Sequence, residues 1–185
     1  PLFYPSAGAH NYFHGLMQLI GDESLAPESQ RDALSRKFVE WYAKTDLVPP
    51  PGYVDWKAQL LGRVDPIFAE LLYEGVPTRI RLEEVRSGGI AFDGIPGLDN
   101  PQMVTAAEAV YLDPHEPVFG LTINGDARAY PERILQWHEM ANDVVGGIPV
   151  SLAYCTLCGS AIAYDGRGPD GASYSFGSSG LLYRS

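Results

Sequence analysis

The chain has 185 residues, 45% of them hydrophobic, enough to bury a real core without a disulfide scaffold. Its 13 basic and 23 acidic side chains leave a formal charge of −10 and a pI near 4.7, which opposes a broad phosphate-binding surface, so nucleic acid is not expected as a partner. No stretch approaches the roughly 18 consecutive apolar residues of a membrane span; the longest candidate, GLMQLIG (15–21), is short and flanked by polar residues. The sequence starts at Pro1 rather than Met, so a leader or anchor is expected to have been removed or to lie outside it.

Residues 1–78 read as a helical lead-in. In LAPESQRDALSRKFVEWYAKT (25–45) a proline and acidic residues occupy the first turn, and Leu34, Phe38, Trp41 and Tyr42 form one apolar stripe. VPPPG (48–52) breaks that helix, because successive prolines fix φ and supply no backbone donors. A second helical stretch carries Trp56, Leu60 and Leu61 before Asp65-Pro66, and Ile67, Phe68, Leu71 and Leu72 after it. These aromatic and aliphatic residues are read as packing residues.

From residue 79 the hydrophobic period shifts towards two, and residues 79–185 read as a β-rich, mainly antiparallel domain with one short helix. The fold class is therefore α+β. VFGLTINGDARAY (118–130) is the clearest hairpin, with Asn124-Gly125 suited to a type I′ turn. PERILQWHEMAND (131–143) reads as the short helix, with Ile134, His138 and Ala141 on its inward stripe. VVGGIPVSLAYC (144–155) reads as turn then strand, SAIAYD (160–165) as a strand, and ASYSFG (172–177) and LLYRS (181–185) as two more. A chain stopping on strand-like sequence implies a domain that continues past Ser185.

Cys155 and Cys158 are the only cysteines, three positions apart in AYCTLCGSAIAYD (153–165). A disulfide there closes a very short loop and contributes roughly 2 kcal/mol before strain, a weak structural reason for the pair. A thioredoxin-type pair would place Cys155 at a helix N-terminus, yet the flanking residues alternate like strands. In a metal knuckle of the form Cys-x-x-Cys-Gly both sulfurs face one ion, and the glycine permits the left-handed backbone. Two cysteines leave such a site incomplete. His138, just upstream of the cysteine strand, is the best third ligand, against the alternative of a core histidine bonded to backbone. His10 and His14, spaced i, i+4, have nothing nearby to complete a site, and His115 reads as a loop residue. A zinc deaminase would require H-x-E and a proline before the cysteines, whereas Glu139 is adjacent to His138 and Tyr154 precedes Cys155. No GxSxG elbow, P-loop or dinucleotide fingerprint is present.

DGIPGLDNP (93–101), the run from Val118 through WHE and YCTLCG to Asp165, and FGSSGLLYRS (176–185) together resemble the bacterial and archaeal family known as domain of unknown function 3179. The resemblance extends from about Pro51 to the last residue, and Trp137, His138, Glu139, Tyr154, Cys155, Leu157, Cys158 and Gly159 match its most specific segments. Thr156 stands where proline is common in the family. Asn142, Asp143, Ser178, Ser179 and Gly180 fall on other recurrent segments, where turn geometry is the expected role. Members continue with further strands and often carry export signals or anchors, so the resemblance implies an extracytoplasmic, periplasmic or extracellular location.

Three functions remain open at this level. The leading expectation is an exported metal-binding protein in which Cys155 and Cys158, with His138, hold a thiophilic ion, copper or zinc. The second is a thiol–disulfide redox module with Cys155 attacking and Cys158 resolving. The third is an interaction subunit whose pair is a closed disulfide, with a protein partner docking on the Trp- and Tyr-rich helical lead-in.

Overall fold

The computed structural model describes residues 31–184 and Gly21, with side chains placed from residue 37 onward in the first helix. His10 and His14 lie outside the described residues. Three short helices come first: α1 (Arg31–Ala43), α2 (Tyr53–Leu61) and α3 (Ile67–Leu71). The proline run separates α1 from α2, and Gly52 turns the chain into α2 at φ 77°, a left-handed conformation natural to glycine. Asp65 caps α3, its Oδ1 accepting the Ile67 N–H at 3.1 Å. Phe68 is fully buried, whereas Trp56 is 57% exposed and is not the packing residue its place in the stripe suggested.

A 3₁₀ turn (Leu82–Glu84) leads into β1 (Val85–Ser87), which pairs antiparallel with β8 (Leu181–Tyr183). This ribbon is clamped by charge. Buried Glu84 accepts Arg184 Nε at 2.6 Å and Nη2 at 2.9 Å. Arg81 ties the same turn back to α1: its guanidinium sits 4.2 Å over the Tyr42 ring and donates to the Tyr42 carbonyl at 3.2 Å. The Tyr42 hydroxyl donates to Glu83 at 3.3 Å, and burial followed by the Glu83 charge raises its pKa.

The main sheet has four strands in the order β2 (Leu98–Asp99), β5 (Met140–Val145), β6 (Ile148–Cys155) and β7 (Ser160–Asp165). The pairs β5–β6 and β6–β7 are antiparallel, and only the two-residue β2 runs parallel to its neighbour. The hairpin of β3 (Val118–Ile123) and β4 (Asp126–Pro131) forms as the sequence predicts, with Asn124 at φ 50° and Gly125 at φ 83° in the turn. It packs on the sheet through a close approach of two turns. Gly146 accepts Asn124 Nδ2 at 2.9 Å and donates to Asp126 at 3.0 Å, and a Cβ on Gly146 would meet the Ile123 carbonyl oxygen at 2.1 Å. Only glycine fits there.

The architecture is thus α+β: short helices first, then mostly antiparallel sheets with one short helix, α4 (Glu132–His138). Tyr130, Leu135, Ala141, Leu152 and Tyr154 form the core between hairpin, helix and sheet, with Phe119 packed against it at 5.2 Å from the Tyr154 ring. Two expected elements differ. ASYSFG is a loop with a single bridge, Arg167 to Ser173, held by the Tyr174 N–H donating to the Gly166 carbonyl at 2.7 Å and by the Asn142 side chain at Phe176. The helix stops at His138, and the residues expected to continue it, Met140 to Asp143, begin β5. Glu139 enforces the change at φ 54°, and its carbonyl already accepts the Tyr154 N–H of β6 at 2.8 Å.

Candidate functional site

The two cysteines lie at the tip of the β6–β7 hairpin. Cys155 ends β6 and faces Ser160, the first residue of β7, so residues 156–159 make the turn. Cys158 and Gly159 both donate backbone N–H groups to the Cys155 carbonyl, at 3.2 and 2.9 Å, and this closes the turn tightly. The Cα atoms of the cysteines are 5.2 Å apart and their sulfurs are at disulfide distance. The Cys158 N–H also points at the Cys155 sulfur, at 3.2 Å, a contact that stabilises negative charge on that sulfur. Cys155 is half-buried and Cys158 is exposed.

Gly159 makes the turn with φ 61°. Nothing lies within 4 Å of where its Cβ would be, so its cost of replacement is backbone strain and not a clash. Gly159→Ala is therefore expected to lower stability by about 1–2 kcal/mol, with Gly159→Asn recovering part of it because asparagine tolerates the left-handed region. Urea unfolding of the two variants checks this; equal midpoints for alanine and wild type would show that the turn relaxes.

A shallow cleft of about 350 Å³ runs from the cysteine pair over Glu139, Met140, Tyr154 and the 177–179 segment to β8. The left-handed turn at the end of α4 swings Glu139 towards the cysteines, and its carboxylate accepts the Thr156 hydroxyl at 2.7 Å. Among the described residues Glu139 is the only charged one lining this cleft, with no lysine, arginine or histidine beside it. Tyr154 is anchored by donating its hydroxyl to Glu132 at 3.1 Å, and burial, reinforced by that carboxylate, raises its pKa.

His138 sits one residue earlier and faces elsewhere. Its Nδ1 donates to the Pro96 carbonyl at 2.9 Å. The ring borders a separate groove with Tyr111, Arg133, Ile134 and Trp137, and it does not line the cysteine cleft. Among the described residues no group of three His, Cys, Asp or Glu side chains is arranged to hold a metal ion. Trp137 is 78% exposed and flanks both the His138 groove and a second one beside Thr156, next to the cysteine turn.

Two functional placements were not legible in advance. Glu139 reaches the cysteine turn only because the helix ends in a left-handed residue, and helical periodicity points it elsewhere. Asn142, expected in a turn, lies in mid-strand and holds the loop behind the cleft. Its Nδ2 donates to Asp99 at 2.8 Å and to the Phe176 carbonyl at 2.9 Å, while its Oδ1 accepts the Ser151 hydroxyl at 2.7 Å and the Phe176 N–H at 3.1 Å. Asp143 instead accepts the buried Tyr130 hydroxyl at 2.8 Å, and burial together with that carboxylate holds the Tyr130 pKa well above the usual tyrosine range.

No curated protein and no solved structure matches this chain. A family model does, over the half of the chain that holds the hairpin β3–β4, helix α4, the four-stranded sheet and the cysteine turn. On that match, across residues 92–185, the chain belongs to the family described as Protein of unknown function (DUF3179).

Proposed function

We propose that the hairpin tip is a thiol–disulfide exchange site in which Cys158 meets the partner and Cys155 resolves. The observation that carries this reading is the pairing of two sulfurs at disulfide distance with unequal access, Cys158 exposed and Cys155 half-buried beneath a backbone N–H. A thiolate of a partner dithiol attacks the Cys158 sulfur, a new sulfur–sulfur bond forms, and the Cys155–Cys158 bond breaks. Its electron pair goes to Cys155 as thiolate, where the Cys158 N–H stabilises it. The second partner thiolate then attacks the partner sulfur and releases Cys158. In net terms the partner dithiol is oxidised to a disulfide and the pair takes up two electrons and two protons. The roles are the reverse of those expected from chain order. A pair resting in its closed form suits an oxidising compartment, which supports the extracytoplasmic location implied by the family resemblance.

Copper(I) binding by the reduced pair is the second reading. It is favoured by the N–H to sulfur contact, which supports a thiolate ligand, and by the left-handed Gly159 of a knuckle turn. Two thiolates suffice for a two-coordinate soft ion. Zinc would require further ligands beyond the described residues or a rearranged His138, so it is supported less.

One experiment separates the readings. The full chain is treated with reduced glutathione, alkylated and mapped by mass spectrometry, alongside free-thiol counts and elemental analysis of protein from its native host. Exchange predicts a reversible two-thiol couple with the transient glutathione adduct on Cys158; with oxidised glutathione as the disulfide donor for the single-cysteine variants, Cys155→Ser is expected to accumulate that adduct at least tenfold over Cys158→Ser. An adduct confined to Cys155 overturns the assigned roles. About one copper per chain with both thiols protected favours the second reading, and a pair that never opens removes both.

A further inference from the structure

A second cleft, of about 560 Å³, lies between the 101–114 segment, strand β4 and helix α4, and shares no lining residue with the cysteine cleft. Its volume falls in the range of small-molecule sites, roughly 300–1,000 Å³. Leu98, Met103, Val104, Leu112 and Ile134 make apolar walls, and the lining residues that carry charge are Arg128 and Asp113. Asp113 is an exposed loop residue whose carboxylate already accepts the His115 N–H at 2.8 Å. Arg128 is different. Its side chain is 27% exposed, and one end of the guanidinium is held by Asp126, Nη2 to Oδ2 at 3.1 Å. The same Asp126 oxygen also accepts the Gly146 N–H at 3.0 Å, so it is shared. The Arg128 Nε is buried with no hydrogen-bond partner, the only side-chain nitrogen or oxygen in that condition among the described residues.

A buried guanidinium N–H without an acceptor is costly, and native structures rarely leave one so unless a missing group supplies the acceptor. Here the cation borders an apolar cleft of ligand size. We infer that this cleft binds a small monocarboxylate with an apolar body, its carboxylate on the Arg128 guanidinium and its chain or ring against the walls. A carboxylate suits the fork of the guanidinium because it offers two acceptors in one plane. Binding requires the Arg128 head to turn so that its Nε–H, buried here, meets the carboxylate, and the apolar walls reject an ion with no hydrocarbon to bury. This inference is independent of the thiol chemistry and stands or falls separately.

Octanoate, octan-1-ol and octylammonium, titrated calorimetrically into the full chain, test it. Octanoate is expected to bind at one per chain and at least about tenfold tighter than the other two, the difference expected for one charge-assisted hydrogen bond. Arg128→Met keeps the apolar stem and is expected to bring octanoate down to the octanol affinity, while Arg128→Lys keeps part of the preference. Ala106→Trp, on the exposed wall of the cleft, is expected to abolish binding of all three without touching the cation, so the site remains testable if the Arg128 variants fold poorly. Octanol binding as tightly as octanoate, octanoate binding unchanged by Arg128→Met or by Ala106→Trp, or no binding heat for octanoate each overturn the inference.

Discussion

Asn142→Ala is expected to destabilise the protein by about 3–5 kcal/mol, a large share of the total for a domain of this size. The side chain is 8% exposed and engages a full set of four hydrogen bonds, two donated and two accepted, across strands β2 and β6 and the loop at Phe176. Truncation removes all four. It strands the Ser151 hydroxyl, which is 1% exposed, and leaves both backbone groups of Phe176 unpaired. Each buried group left unmatched costs about 1–3 kcal/mol, and water entering the small void offsets part of that sum. Asn142→Asp keeps the acceptor for Ser151 and Phe176 but sets a carboxylate where an amide now donates to Asp99, so it is expected to fail as well, and more severely at neutral than at acidic pH. The measurement is the urea midpoint at unchanged m-value. A shift worth less than about 1 kcal/mol for alanine would mean the loop carries its own hydrogen bonds without the strand. Since that loop leads into Ser178 and Ser179 on the rim of the cysteine cleft, hydrogen exchange at residues 176–180 is expected to rise in the variant even where the sheet stays protected.

Leu135→Ala carries the second large effect, about 2–5 kcal/mol. Leu135 has no exposed surface and sits at the centre of the cluster formed by Tyr130, Ala141, Leu152 and Tyr154. Its helix has seven residues, too short to hold itself, so tertiary packing of this one side chain keeps it formed. Beyond stability, α4 is followed directly by Glu139, whose carboxylate holds Thr156 in the cysteine turn, so a loosened helix is expected to speed opening of the pair. Leu135→Met should recover most of the stability because it nearly conserves volume. If Leu135→Ala lowers the unfolding midpoint but leaves the rate of glutathione exchange unchanged, the turn is held by its own backbone hydrogen bonds and not by α4.

Local chemistry wrote much of this protein plainly. Asn124-Gly125 specified its hairpin because only residues tolerant of positive φ make a type I′ turn between right-twisted strands. The proline run kept α1 and α2 apart, since no helix continues through residues that lack an N–H and clash with the preceding turn, although α1 already stops at Ala43, where the Lys44 and Thr45 N–H groups bond three residues back. The cysteine pair, followed by glycine between two alternating segments, specified a strand-to-strand turn with the sulfurs together and Gly159 left-handed. Family membership and the α+β class followed from the same segments.

Only the tertiary structure decided the rest, and in each case a long-range contact outweighed a local preference. Met140 to Asp143 prolong a helical pattern in sequence, yet they form β5, because β6 offers a complete ladder of backbone partners and the Asn142 side chain finds Asp99 and Ser151 across the sheet and Phe176 in the loop beyond it. That switch of element turned Glu139, and not His138, towards the cysteines; the imidazole went instead to a carbonyl 42 positions earlier in the chain, at Pro96. The unequal exposure of the two cysteines and the unpartnered Nε of Arg128 are likewise invisible to periodicity. Period and turn chemistry report the preferences of neighbouring residues, whereas burial and partner choice depend on which distant surfaces meet.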